Sequence, residues 1–170
     1  MNPNDAAARL ARSARSIEGV LVGLSADEAL WRPEPKRWSM LEVACHLLDE
    51  EREDFRLRLD YALHRPDEPF PPIDPEGWCE ARGYRERELT PTLEAWRAER
   101  DDSLSWLRGL GEPDLAREHA APWGGTIAAG DLLASWVAHD LLHLRQLLRL
   151  EFQRLEADAK PFGLRYAGDW

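Results

Sequence analysis

The sequence predicts an all-α protein, a four-helix bundle with a long connection between helices 2 and 3. Three observations carry the prediction. Four stretches repeat apolar residues at spacings of three and four, most of them bounded by capping or breaking residues, and no stretch reads as a strand. At 170 residues, a chain can bury about 70% of its unfolded surface, so one core and a single domain over residues 1–170 are expected.

The first helix is expected from about residue 4 to 24, where Leu10, Ala14, Ile17, Leu21 and Leu24 form an apolar stripe. The two prolines of "SADEALWRPEPKR" prevent its continuation. Helix 2 has the best-marked start: Ser39 can cap it, Glu42 completes a capping box, and Trp38 can staple against Val43. It should run unbroken to Leu63 or His64, stopping before Pro66. Helix 3 should begin near Thr90-Pro91 and carry Leu93, Trp96, Leu104 and Leu107 to the Gly109–Gly111 stop. Helix 4 follows the turn at Trp123–Gly125, starts at Thr126 or Gly130, and extends to about Arg154. Between helices 2 and 3, residues 65–90 hold five prolines in 26 residues, long enough for a crossover, a lid or both.

Composition narrows the function classes. A net charge of -10 disfavours nucleic acid and anionic lipid as partners at long range. No stretch approaches the ~20 apolar residues of a membrane span, and the N-terminal stretch lacks the apolar core of a secretion signal, so a cytoplasmic protein is expected. Cys45 and Cys79 are too few for a disulfide framework and read as free thiols. The eight tryptophans are mostly expected in the core or in the wall of a cleft.

Helix 4 carries "SWVAHDLLHLRQLLRL", with His139 and His143 one turn apart on one face. Spacing alone favours two surface histidines. Yet Asp131, Ser135, His139, His143 and Gln146 form a polar seam flanked by Leu132, Trp136, Leu142, Leu147 and Leu150, and polar groups facing a bundle interior need partners. A metal ion would be one, and it would need a third ligand from another element. His64 lies at a fraying helix end and His119 in an irregular stretch, both expected to face solvent; His46, two turns into the well-capped helix 2, is the natural third ligand.

"RWSMLEVACHLLDEE" followed some ninety residues later by "GDLLASWVAHDLLHLRQL" resembles the DinB-like (DinB/YfiT) superfamily of candidate metalloenzymes, which pair a W-S-x-x-E-x-x-x-H-like motif on helix 2 with H-x-x-x-H on the last helix. The resemblance places a metal triad on His46, His139 and His143 and implies a four-helix bundle holding zinc, nickel or iron. It also implies a thiol-dependent S-transferase or isomerase using a low-molecular-weight thiol, and often a homodimer. A metal-binding stress or accessory protein without turnover, or a helical interaction module without metal, stays open.

Three neutral imidazoles would leave an ion its full +2 charge and open positions, able to activate a water or a thiol. Glu42, Asp49, Glu50 and Asp140 are candidate partners for the imidazoles, with Glu50 alternatively a fourth ligand or general base, although each alone reads as part of a solvated face. Cys45 points ~100° away from His46 around the helix and reads as core. Cys79 could be an exposed thiol. Arg82, Arg85 and Arg87 could meet an anionic substrate but read as a solvated run, and Trp136 is expected in the pocket wall.

Overall fold

The computed structural model describes all 170 residues. The chain runs through α1 (Pro3–Leu21), α2 (Ala26–Leu30), α3 (Met40–Glu53), α4 (Phe55–His64), α5 (Pro75–Ala81), α6 (Leu89–Gly109), β1 (Glu118–Ala120), β2 (Thr126–Ala128) and α7 (Ala129–Asp158). Four rods form the bundle: α1, the α3–α4 pair, α6 and α7. No helix is long and apolar enough to cross a membrane.

The helix starts follow local chemistry. Asn2 accepts from the Asp5 N–H at 2.8 Å and Pro3 opens α1, while Ser39 and Glu42 form the reciprocal capping box that starts α3. Cys45 of α3 lies opposite Thr92 of α6, and Glu51 opposite Arg100, so these neighbouring rods run parallel. Residues 65–90 are therefore a crossover that returns the chain to the end of the bundle where α3 began. α1 packs on α6 and α7, and α4 on α7.

The crossover is built as a cover over α3. Within it α5, capped by Asp74, buries Trp78, and Tyr84 follows fully buried. Both pack with Leu41 and Cys45. Consequently every residue of α3 from Met40 to Glu51 is buried, including the acids that pattern alone assigns to a solvated face.

The remaining differences from the sequence reading have identifiable causes. Helix 2 is not continuous: at Asp54 the backbone turns to φ -118°, ψ -92°, although Asp54 N–H still donates to the Glu50 carbonyl at 3.0 Å. No proline or glycine announces this kink; it coincides with an inward Asp54 carboxylate held by Arg58 at 2.6 Å. Two short strands were not expected. They pair antiparallel with His119 opposite Ile127, and Gly124 and Gly125, at φ 97° and 76°, make the turn that side-chain-bearing residues rarely adopt. His119 is correspondingly buried rather than solvent-facing. Its ring stacks on Phe70 at 3.9 Å and its nitrogens lie 2.9 Å and 2.8 Å from the Ala120 and Glu68 carbonyls, pinning the hairpin to the crossover. A capping box at Ser25 and Glu28 adds the short α2, and α7 runs about a turn beyond Arg154.

Besides the small cluster under the crossover, the core is two larger apolar clusters with a polar layer between them. Leu10, Leu59, Leu107, Leu133 and Trp136 belong to one; Ile17, Leu21, Leu47, Trp96 and Leu147 to the other. On each rod the residue between the two sets is polar: Ser13, Glu51, Arg100 and Asp140, all buried. Arg100 donates to Glu51 through Nε (3.0 Å) and Nη2 (2.8 Å), to Asp140 through Nη1 (2.6 Å) and Nη2 (2.9 Å), and to the Leu10 carbonyl through Nη1 (3.3 Å). Ser13 donates to Asp140 and Trp136 Nε1 to Glu51. Removing the cation would leave two facing buried carboxylates. Arg100→Leu is therefore expected to cost about 3–5 kcal/mol, seen as a lower urea midpoint at unchanged slope.

Candidate metal centre

Two rods bring the three histidines together. His46 sits on α3 seven residues past the Ser39 cap, and His139 and His143 share the face of α7 turned toward it. His46 Nε2 lies 3.3 Å from His139 Nε2, and His143 Nε2 lies 3.1 Å from the same atom. The three donor nitrogens fall within 4.8 Å of one another, and the group contains no carboxylate or thiol. Trp38 closes one side, its ring 4.9 Å from that of His46, and Phe55 the other, 4.8 Å from His139.

The electrostatics keep all three rings neutral. Burial, and then the charges of His143 and His139, push His46 down to about 3. Burial first, then His143 and Arg100, lower His139 to about 3. His143 is lowered by burial too, partly opposed by its bond to Gln146. That bond, 2.9 Å from Nδ1 to Gln146 Oε1, puts the proton on Nδ1 and leaves the Nε2 lone pair pointing inward.

This donor set fits a divalent ion. Ligand nitrogens at ~2.0–2.1 Å from zinc stand about 3.0–3.4 Å apart when they occupy neighbouring coordination positions, which is the spacing of the two measured edges. Neutral imidazoles converging on one point cannot all satisfy one another by hydrogen bonds, and His46 Nδ1 is buried without a partner.

None of the four acids singled out as imidazole partners takes that role, and none is solvated: Glu42, Asp49, Glu50 and Asp140 are all buried. Glu42 caps α3 and pairs with Arg32. Asp49 accepts from Tyr84 at 2.8 Å and pairs with Arg82 at 3.0 Å, so Arg82 is no solvated run, and Arg87 leans on the same carboxylate; Arg85 alone is exposed. Asp140 belongs to Arg100. Glu50 leans on Asp54, and burial with that neighbour's charge raises it to about 9.

Cys45 is buried, with its thiol pushed up to about 11 by burial. Cys79 donates to Glu42 at 3.1 Å, and burial with this contact raises it to about 12; neither is a reactive thiolate. Trp136 lies in the core, not the pocket wall, and the seam turns outward at its start, where Asp131 and Ser135 are exposed. Trp38 and Gln146, both present in the quoted motifs, do flank the site. A cavity of about 770 Å³ opens beside it, lined by Trp38, Leu142, His143 and Gln146 among others.

A sequence model of the DinB superfamily matches residues 9–147. The chain belongs to the DinB superfamily. Among solved structures, YfiT from Bacillus subtilis superposes with a TM-score of 0.78 at 16% identity, over 89% of this chain and 87% of that one. YfiT is described as a probable metal-dependent hydrolase with an unusual four-helix bundle topology, and the likeness establishes the fold of this DinB member. No curated protein matches the sequence.

The raised Glu50 gives a pH prediction. The folded protein holds this carboxyl protonated up to about 9, whereas the unfolded chain ionises it near 4.3. The unfolded state therefore binds fewer protons between those values, and stability falls as pH rises through them. Glu50→Gln, neutral throughout, is expected to gain stability relative to wild type from pH 5 to pH 9; paired urea titrations showing parallel curves would refute the assignment.

Proposed function

We propose that this DinB protein is a divalent-metal-dependent enzyme, with His46, His139 and His143 as ligands of zinc, nickel or iron, transferring a low-molecular-weight thiol to a small electrophile. The observation that carries the reading is three neutral imidazoles converging without a carboxylate, beside a cavity of about 770 Å³. A structural site would be closed by a fourth protein ligand, and this donor set stops at three. When bound, the ion supplies a +2 charge that lowers the pKa of a thiol or water next to it.

The chain's own residues do the rest. Gln146 orients His143, Trp38 and Phe55 restrict water on two sides, and the cavity admits the reactants. In the transfer, the sulfur electron pair forms the new C–S bond, the bond to the leaving group breaks with its pair, and the thiol proton passes to solvent. A thiol of pKa near 8.5 needs little help to ionise.

Hydrolysis is the second reading, favoured by the fold likeness to YfiT as described. Water is a far weaker acid and is commonly activated with a general base. Here Glu42, Asp49 and Asp140 are engaged by arginines and Glu50 is held protonated. With the four acids nearest the imidazoles engaged in this way, thiol transfer is the better-supported chemistry.

Elemental analysis of protein purified without chelator is expected to find about one divalent ion per chain, and adding zinc or nickel to stripped protein should raise its melting temperature. His139→Ala should lose both effects. If wild type gains nothing, the metal reading fails. Metal-loaded wild type should also consume thiol with monochlorobimane, and His139→Ala should not. Bound metal with no turnover across the common cellular thiols would leave a non-catalytic metal-binding protein.

A further inference from the structure

The cavity beside the triad is unusual in its charge. Arg37, Arg145 and Arg149 line it against a single acid, Glu34, in a chain whose net charge is -10. None of the three arginines is in an ion pair, whereas Arg32, Arg82, Arg100 and Arg154 each hold a carboxylate. Arg145 and Arg149 stand one turn apart on α7, where like charges repel. Acidic residues outnumber basic ones in this chain, yet Glu34 is the one acid among the residues lining this cavity. Arg37 comes from the segment before α3, next to Trp38, so guanidinium groups reach the cavity from two elements.

We infer that this cavity binds a small oxyanion-bearing molecule, with Arg145 and Arg149 and the facing Arg37 holding its carboxylate or phosphate groups and Trp38 and Leu142 covering its apolar part. Guanidinium forks match such groups in a bidentate way, and His143 at the wall of the same cavity sets the reacting end of the ligand near the triad. The inference rests on the reading above for the claim that this ligand is a reactant, so an anionic thiol or an anionic electrophile is the expected substrate class. It does not rest on that reading for the binding itself, which needs no metal.

The two are separated by working first with chelator-treated protein. Isothermal titration with succinate and with inorganic phosphate should show binding that weakens with added salt, while neutral 2-mercaptoethanol shows none. Arg145→Gln/Arg149→Gln should lose at least about tenfold in affinity at an unchanged melting temperature. Arg9→Gln/Arg12→Gln, exposed on α1 away from the cavity, changes net charge equally and should bind as wild type does. In metal-loaded protein 2-mercaptosuccinate should then be consumed faster than 2-mercaptoethanol, an advantage lost in the cavity double variant. No binding of either anion, or equal losses in the two double variants, overturns the inference even if the metal is present. Retained anion binding with no metal uptake overturns only the metal reading.

Discussion

The interaction on which this bundle depends is the Arg100 guanidinium at its centre. It spends its N–H groups on Glu51 of α3, Asp140 of α7 and the Leu10 carbonyl of α1, so one side chain of α6 ties all four rods at one height. Buried ion pairs often contribute little net stability, because desolvation offsets their attraction. Their effect on specificity is different. Apolar clusters above and below would tolerate small rotations of a helix, whereas two bidentate carboxylate contacts around one planar cation do not. Asp140 is thereby held at a fixed angle, and His139, the residue before it, lies ~100° further around α7. Locking the first toward Arg100 turns the second toward α3 and His46.

The crossover performs the corresponding service for α3. A helix carrying Glu42, Asp49, Glu50 and Glu51 would ordinarily leave its acids in water. Here residues 65–90 are laid over it, and the cover brings the partners: Tyr84 and Arg82 for Asp49, Cys79 for Glu42. Arg82 also grips Glu53 at 2.7 Å. With Glu42 and Asp49 engaged under the cover, Glu51 by Arg100 and Glu50 held protonated, α3 offers His46 to the interior with no ionised carboxylate left to compete for it.

How much of this the sequence carries depends on the range of the interaction. Local chemistry is legible: the Ser39–Glu42 box, the proline-bounded crossover and the four-residue spacing of His139 and His143 all act within a turn or two of chain. Even Arg100 is readable in retrospect, since it continues the apolar stripe of Trp96, Leu104 and Leu107 and so has to point inward. Glu42 and Asp49 of α3 are not readable in this way, because their partners Cys79, Arg82 and Tyr84 lie in a segment more than thirty residues later whose docking leaves no periodic mark. His119 is hidden for the same reason: its partners, Phe70 and Glu68, lie across the bundle in sequence. The kink at Asp54 escapes because an inward carboxylate, not a proline or glycine, accompanies it.

The polar layer has two halves with opposite characters. Around Arg100 every carboxylate meets a donor, and the groups hold one another in place. At the triad three imidazole nitrogens converge and His46 Nδ1 has no hydrogen-bond partner, and buried polar groups cost free energy unless they are satisfied. Collapse would relieve it, by turning an imidazole outward or letting the rods slide by a fraction of a turn. The Arg100 contacts oppose both the rotation and the slide, and Gln146 opposes the ring flip of His143. The rigid half thus holds the three imidazoles in register. A fold that needed the histidines only for packing would gain by replacing them with leucine, so the convergence is best explained by a group that accepts three lone pairs at once.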